Sequence, residues 1–292
     1  FTATDGNTAV DLTGWDLTGL QVTPPADSDV DFTLNVTATS TEADGGDTAS
    51  TVGSIAVSVA PDADIPTLNV VDAAGTEDSA IALDISTGVT DASESITSLV
   101  IDGLPEGATL TSGTDTFTAP AGGGSVDVSG WNLDNLTVTP PADSDVDFTL
   151  NVTSTSTDGT DTATNSGTMQ VSVAADADAP TLTMGTTASG TEDTAIDLPD
   201  IAAGLTDVDG SESLSLSLDG IPAGATLSDG TNSFTATDGN TAVDLTGWDL
   251  TGLQVTPPAD SDVDFTLNVT ATSTEADGGD TASTVGSIAV SV

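Results

Sequence analysis

The sequence has no lysine, arginine, histidine, cysteine or tyrosine. Without Lys and Arg, nucleic acids and anionic membrane surfaces are excluded as partners, because binding to either depends on those cations. Without Cys there are no disulfides and no thiolate metal sites, so stability outside a cell has to come from another source. Without His, Lys or Cys, the many Ser and Thr hydroxyls have no base to activate them as nucleophiles. No apolar run approaches the length of a membrane span, and no signal peptide is visible, as in a fragment of a longer chain. Aromatic residues make up only 3%. Low aromatic content with high charge is a signature of disorder, but 36% hydrophobic residues in strict alternation argue for repeated small cores.

What the sequence does have is acid: 47 Asp and Glu in 292 residues, giving a formal charge of -47 that no side chain can neutralise. Of these, 40 are Asp and 7 are Glu. Asp, the shorter acid, favours turns and compact oxygen cages over helices. The balancing partner is therefore an inorganic cation or a salty solvent.

The stretch Val-Thr-Pro-Pro-Ala-Asp-Ser-Asp-Val-Asp-Phe-Thr-Leu-Asn-Val-Thr occurs unchanged at positions 22–37, 138–153 and 255–270. Its two prolines mark a strand exit and a turn. Its second part alternates Phe148, Leu150 and Val152 with Thr149, Asn151 and Thr153, the pattern of a half-buried strand. Residues 1–59 are identical to 234–292, a displacement of 233 positions, and Trp15, Trp131 and Trp248 mark a weaker repeat of half that length. The spacing predicts three segments: 1–59 as the rear half of one domain type, 60–173 as a complete domain and 174–292 as a complete domain of the first type. Short acidic linkers bearing Pro66 and Pro180 set the boundaries and read as stiff.

Only strands are expected. In the last domain they fall at 181–186, 195–198, 214–218, 233–237, 252–256, 264–272 and 286–292, separated by Asp-Gly and Gly-Gly turns. Seven short strands at this spacing predict an all-β fold of tandem antiparallel Greek-key sandwiches. The segment 245–253 around Trp248 is compatible with one helical turn, and each Trp reads as a packing residue. Half a sandwich leaves an unpaired edge and an uncovered face, so residues 1–59 are not expected to fold alone.

Acids recur in four places per domain. They are the linkers (Asp62 and Asp64; Asp176 and Asp178), a Gly-Thr-Glu-Asp turn (Glu77 and Asp78; Glu192 and Asp193), a loop (Asp91 and Glu94; Asp207, Asp209 and Glu212), and the Pro-Pro-Ala-Asp-Ser-Asp turn (Asp27 and Asp29; Asp143 and Asp145; Asp260 and Asp262). Two readings compete: a solvated acidic surface adapted to salt, and calcium sites built from six to eight oxygens on flexible Asp loops. Clustering in turns, rather than spreading over strand faces, favours calcium. Strand direction adds to this. If a linker enters at the top of a domain, the first strand carries Glu192 and Asp193 to the bottom, and the second returns Asp207, Asp209 and Glu212 to the top. Asp260 and Asp262 lie at the bottom. The junction of the two complete domains then collects Glu77, Asp78, Asp143, Asp145, Asp176, Asp178, Asp207, Asp209 and Glu212, which would repel one another strongly without a cation. The loop at Asp91 and Glu94 is two residues shorter and lacks the second Asp and the Gly, so the site entering the first complete domain is expected to be the weaker.

The Gly-Thr-Glu-Asp turns, the loop from Asp207 to Ser213, the segment from Pro222 to Leu227 and the Pro-Pro-Ala-Asp-Ser-Asp turn resemble the extender repeats of giant bacterial RTX-type adhesins exported by type I secretion. That resemblance implies cadherin-like or immunoglobulin-like domains in which junctional calcium stiffens a long stalk. Asn35, Asn135, Asn151 and Asn268 head Asn-x-Thr sequons, read here as strand residues of a bacterial product.

The expected function is a secreted, extracellular spacer in a surface adhesin or fibre. It is not an enzyme, does not insert in membranes, and has neighbouring identical repeats as partners, with any cell-surface or matrix ligand lying elsewhere in the full protein. Two alternatives stand beside it: a calcium-dependent carbohydrate- or cell-binding module, and a passive acidic surface-layer protein.

Overall fold

A computed structural model describes all 292 residues as strands and turns, with 3-10 turns at Leu17–Gly19 and Leu133–Asn135 as the only helical elements. The chain forms two compact units. One comprises Phe1–Thr67, Gly88–Thr97 and Thr155–Asn165; the other comprises Leu68–Thr87, Ser98–Ser154 and Ser166–Val292. The second unit contains two separate hydrophobic cores. One is built on Leu99, Ile101, Leu110, Val138, Leu150 and Val152, and the other on Leu218, Leu227, Val255, Leu267, Val269 and Ile288.

Around the last core, a five-stranded sheet runs in the order Thr187–Ser189, Thr281–Ser291, Phe265–Glu275, Glu212–Asp219, Val243–Asp244. Facing it is a four-stranded sheet in the order Ile196–Asp197, Gln254–Thr256, Thr226–Ser228, Ser233–Thr235. The chain crosses repeatedly between the two, so the architecture is an all-β Greek-key sandwich. One departure from the expected pattern is a parallel pairing. The first strand is split, with Thr181–Met184 pairing antiparallel with Ile201–Gly204 and Thr187–Ser189 pairing parallel with the final strand. The crossing happens at Gly185, where a Cβ would stand 2.7 Å from the Pro199 side chain. Around the first core, Ala73–Thr76 pairs parallel with Asp161–Ala174 in the same way.

Several strands begin or end elsewhere than their local sequence indicates. The hairpin of Phe265–Glu275 with Thr281–Ser291 extends three residues past the expected end at Thr272, because Ser273 and Thr274 still fit a pleated ladder and find partners at Ala282 and Thr281. Short strands at Thr187–Ser189, Ile201–Gly204, Thr226–Ser228 and Val243–Asp244 carry too few alternating residues to stand out. The segment around Trp248 is a turn rather than a helix, with the indole packed against the core. In the repeated strand the alternation sets the faces: Leu150 and Val152 are buried, Phe148 packs against the core, and Thr149 and Asn151 face outward.

Residues 1–59 give the same hairpin, Phe32–Thr41 with Thr48–Val57, but no core. Leu34 is 37% exposed, whereas Leu267, at the same place in the identical sequence, is fully buried. Leu267→Ala is therefore expected to cost about 2–5 kcal/mol, and Leu34→Ala less than about 0.5 kcal/mol, as measured by denaturant unfolding. Equal losses would show that residues 1–59 close a core of their own.

Candidate metal centre

The acids at the junction of the two cores are positioned by turn geometry. Asp78 and Asp143 both sit in the left-handed region, at φ 53° each, which Asp tolerates better than most residues. The Asp143 amide donates to Asp78 Oδ1 at 3.2 Å, so the two turns are tied and their carboxylates held side by side. Asp193 and Asp260 repeat this at the far end of the last sandwich, with the Asp260 amide donating to Asp193 Oδ1 at 3.0 Å. Glu192, Asp193 and Asp262 are exposed there.

The linker is strapped by its backbone. The Asp176 amide donates to Glu77 Oε1 at 2.9 Å, the Asp178 amide donates to Glu212 Oε1 at 2.7 Å, and the Ser273 hydroxyl donates to the Asp178 carbonyl. This draws Asp178 beside Asp78 and Asp143, and carboxylate oxygens of the three lie within 4.8 Å of one another. A second group with the same spacing comprises Asp207, Glu212 and Glu275. Gly210, at φ 103°, turns the loop so that Asp207 points inward: Asp207 is 3% exposed and accepts from the Asp209 amide and the Ser211 hydroxyl.

Glu77, Glu212 and Glu275 are each at least nine-tenths buried, and in each one carboxylate oxygen, Oε2, is buried with no hydrogen-bond partner. An orphaned buried carboxylate oxygen is costly, and a chain without Lys, Arg or His offers no cationic side chain to relieve it. The proton affinities follow. Burial pushes Glu77 up to about 7 against the opposing Asp176 amide, with the charges of Glu275, Asp207 and Asp145 adding to the rise. Burial, then Asp78, Asp143, Glu212 and Asp207, raises Asp178, while burial and then Glu212 raise Glu275. Hard, crowded, all-oxygen groups of this kind fit calcium.

The same strap appears at the preceding linker. The Asp64 amide donates to Glu94 Oε1, the Ser156 hydroxyl donates to the Asp64 carbonyl at 2.5 Å, and Glu94 Oε2 is again buried without a partner. Asp158 is buried there too. However, Asp91 spends its oxygens on the Ser93 amide and hydroxyl, and both three-carboxylate groups of the chain lie at the other junction.

Not every expected ligand joins a group. Asp209 is exposed and is held below the usual carboxylate range, chiefly by the Ser211 amide. Asp27, Asp29, Asp62, Asp64 and Asp176 expose their side chains. Asp145 is half-buried and acts on Glu77 and Glu275 through its charge. The third acid of the repeated turn is structural: Asp147 Oδ1 accepts from the Val173 amide at 2.8 Å, and Asp31 and Asp264 accept from Val59 and Val292 in the same way. Sequence reasoning missed Glu275 and Asp158. Both stand at the tenth position after the strand Phe, on the inward parity, and an acid at an inward-facing position was the available signal.

No family model and no curated protein matches the chain. Among solved structures it is similar to Drosophila N-cadherin EC1-4, at 15% identity over 89% of this chain and 58% of that one, with a TM-score of 0.26. It is also similar to the D00-D0 domain of intimin, at 15% identity over 76% and 98%, with a TM-score of 0.26. The N-terminal four immunoglobulin domains of Dscam1 match at 10% identity over 88% and 60%, with a TM-score of 0.22. The chain thus spans under two thirds of the N-cadherin fragment. No helix is long and apolar enough to cross a membrane.

Proposed function

We propose that the chain is a calcium-stiffened, non-catalytic spacer from a secreted bacterial surface adhesin or extracellular fibre of the RTX type, with neighbouring repeats as its partners. One observation carries this reading: four glutamates, Glu77, Glu94, Glu212 and Glu275, each bury an unpartnered oxygen in a chain with no cationic side chain. An acidic surface that merely keeps a protein soluble holds its carboxylates in water, whereas these are withdrawn from it at the linkers. Asp78, Asp143 and Asp178 would hold one calcium and Asp207, Glu212 and Glu275 another, with Glu77 in the field of Glu275 and Asp207 of the second. Bound calcium supplies the missing positive charge and accepts six to eight oxygens. The linker amides donate to Glu77 and Glu212, and the Ser273 hydroxyl binds the linker carbonyl, so ordering those carboxylates also fixes the connection between the two cores.

Calorimetric titration with calcium at moderate salt tests the proposal. Saturable binding in two classes is expected. The tighter class should be lost on Glu212→Gln and the weaker on Glu94→Gln, since affinity follows the number of acidic ligands and site rigidity. Weak, non-saturating heats would identify a passive acidic surface. Loss of the tighter class on Glu94→Gln would reverse the ranking of the junctions.

A further inference from the structure

Residues 1–59 and 234–292 are one sequence in two surroundings. In the second, Leu253, Val255, Leu267, Val269 and Ile288 are at most 1% exposed; in the first, the same side chains, Leu20, Val22, Leu34, Val36 and Ile55, are 37–54% exposed. The backbone shows the same contrast. Phe265–Glu275 is paired on both edges, by Thr281–Ser291 and Glu212–Asp219, and Thr281–Ser291 has Thr187–Ser189 on its other side. Phe32–Thr41 and Thr48–Val57 pair only with each other. Gln254–Thr256 is an inner strand between Ile196–Asp197 and Thr226–Ser228, whereas its copy at positions 21–23 forms no strand.

Everything that closes the second copy comes from a single stretch of chain. Ile196, Leu198, Ile201, Leu216, Leu218 and Leu227 complete the core, and the pairing strands Thr187–Ser189, Ile196–Asp197, Glu212–Asp219 and Thr226–Ser228 belong to the same residues 174–233.

We propose that residues 1–59 are an acceptor for a second copy of the segment 174–233, which would add strands to both hairpin edges and fill the exposed apolar face. The occupant is identified by complementarity already present in the molecule, since an identical surface is closed by this segment in the last sandwich. Two acceptors packed face to face are a poorer fit, because they would cover side chains while leaving the outer edge of Phe32–Thr41 unpaired.

Hydrogen exchange read by mass spectrometry tests this, because 32–41 and 265–274 yield peptides of identical sequence and mass. In the 292-residue protein these peptides should give two envelopes of equal intensity, one exchanging at least about 100-fold faster than the other. In a chain carrying a second copy of residues 174–233 ahead of Phe1, the two should merge into one protected envelope. Leu218→Asp in the added copy alone should restore the fast envelope. The proposal is overturned if both envelopes persist in the extended chain. It is also overturned if the 292-residue protein already gives a single protected envelope, whether as a monomer or through self-association.

Discussion

Chelating calcium is expected to lower the thermal midpoint of the unit formed by the two cores by about 10–30 °C. Each site held at about 100 to 1,000 times its dissociation constant contributes about 2.7–4.1 kcal/mol, so two sites contribute about 5–8 kcal/mol. That is comparable with the whole stability of an ordinary domain. For a unit of this size each kcal/mol corresponds to about 2–4 °C. Monovalent salt should recover only part of the loss, because it screens the exposed acids but brings half of calcium's charge per ion to the buried Oε2 atoms of Glu77, Glu212 and Glu275. Scanning calorimetry in calcium, magnesium and chelator at matched ionic strength checks this. A midpoint that follows ionic strength alone would place the protein with passive acidic surfaces.

Acid should act in opposite directions on the calcium-loaded and calcium-free protein. Glu77 is raised from 4.5 to about 7, and Glu275 and Asp178 are raised as well. Between these limits the folded chain binds protons that the unfolded chain has released, so without calcium its stability falls as pH rises from about 4.5 to about 7. Glu77, 3% exposed, contributes about 3 kcal/mol of that loss. With calcium the ligands must be deprotonated, so stabilisation by the ion should grow over the same interval. Unfolding midpoints from pH 5 to 8, with and without chelator, should therefore diverge as pH rises. Parallel curves would mean that the buried carboxylates do not hold the ion.

Much of this arrangement was legible in the sequence, for reasons that particular residues illustrate. Alternation along Phe148, Leu150 and Val152 gave the strand and its buried face, because a period of two has only one register that keeps all three inside. Strand direction was enough to bring Asp178 to Asp78 and Asp143, while Asp207 and Glu212 already share one loop. Glu275 was not recovered, since a run of Ser and Thr looks like the end of a strand until its hairpin partner Thr281–Ser291 is known. The split first strand was hidden for a related reason: the sheet switch at Gly185 depends on contact with Pro199, fourteen residues away in sequence. Residues 21–23 show the limit most directly, because the same three residues form a strand at Gln254–Thr256 only where neighbours supply both edges. Asp209, an acid in the expected ligand loop, accepts at Oδ1 from the Ser211 amide of its own turn and stands outside both three-carboxylate groups.

Cations at the linkers are expected to set the stiffness of the connection between the two cores, which small-angle scattering reads as a distribution of dimensions. Profiles of the 292-residue protein would be recorded in calcium and in chelator, at the same moderate salt and at a temperature where both cores remain folded. The expected result is a chelator profile with a broader distribution of dimensions, reversed by adding calcium back and abolished in Glu212→Gln combined with Glu275→Gln. Superimposable profiles in calcium and chelator would contradict the claim.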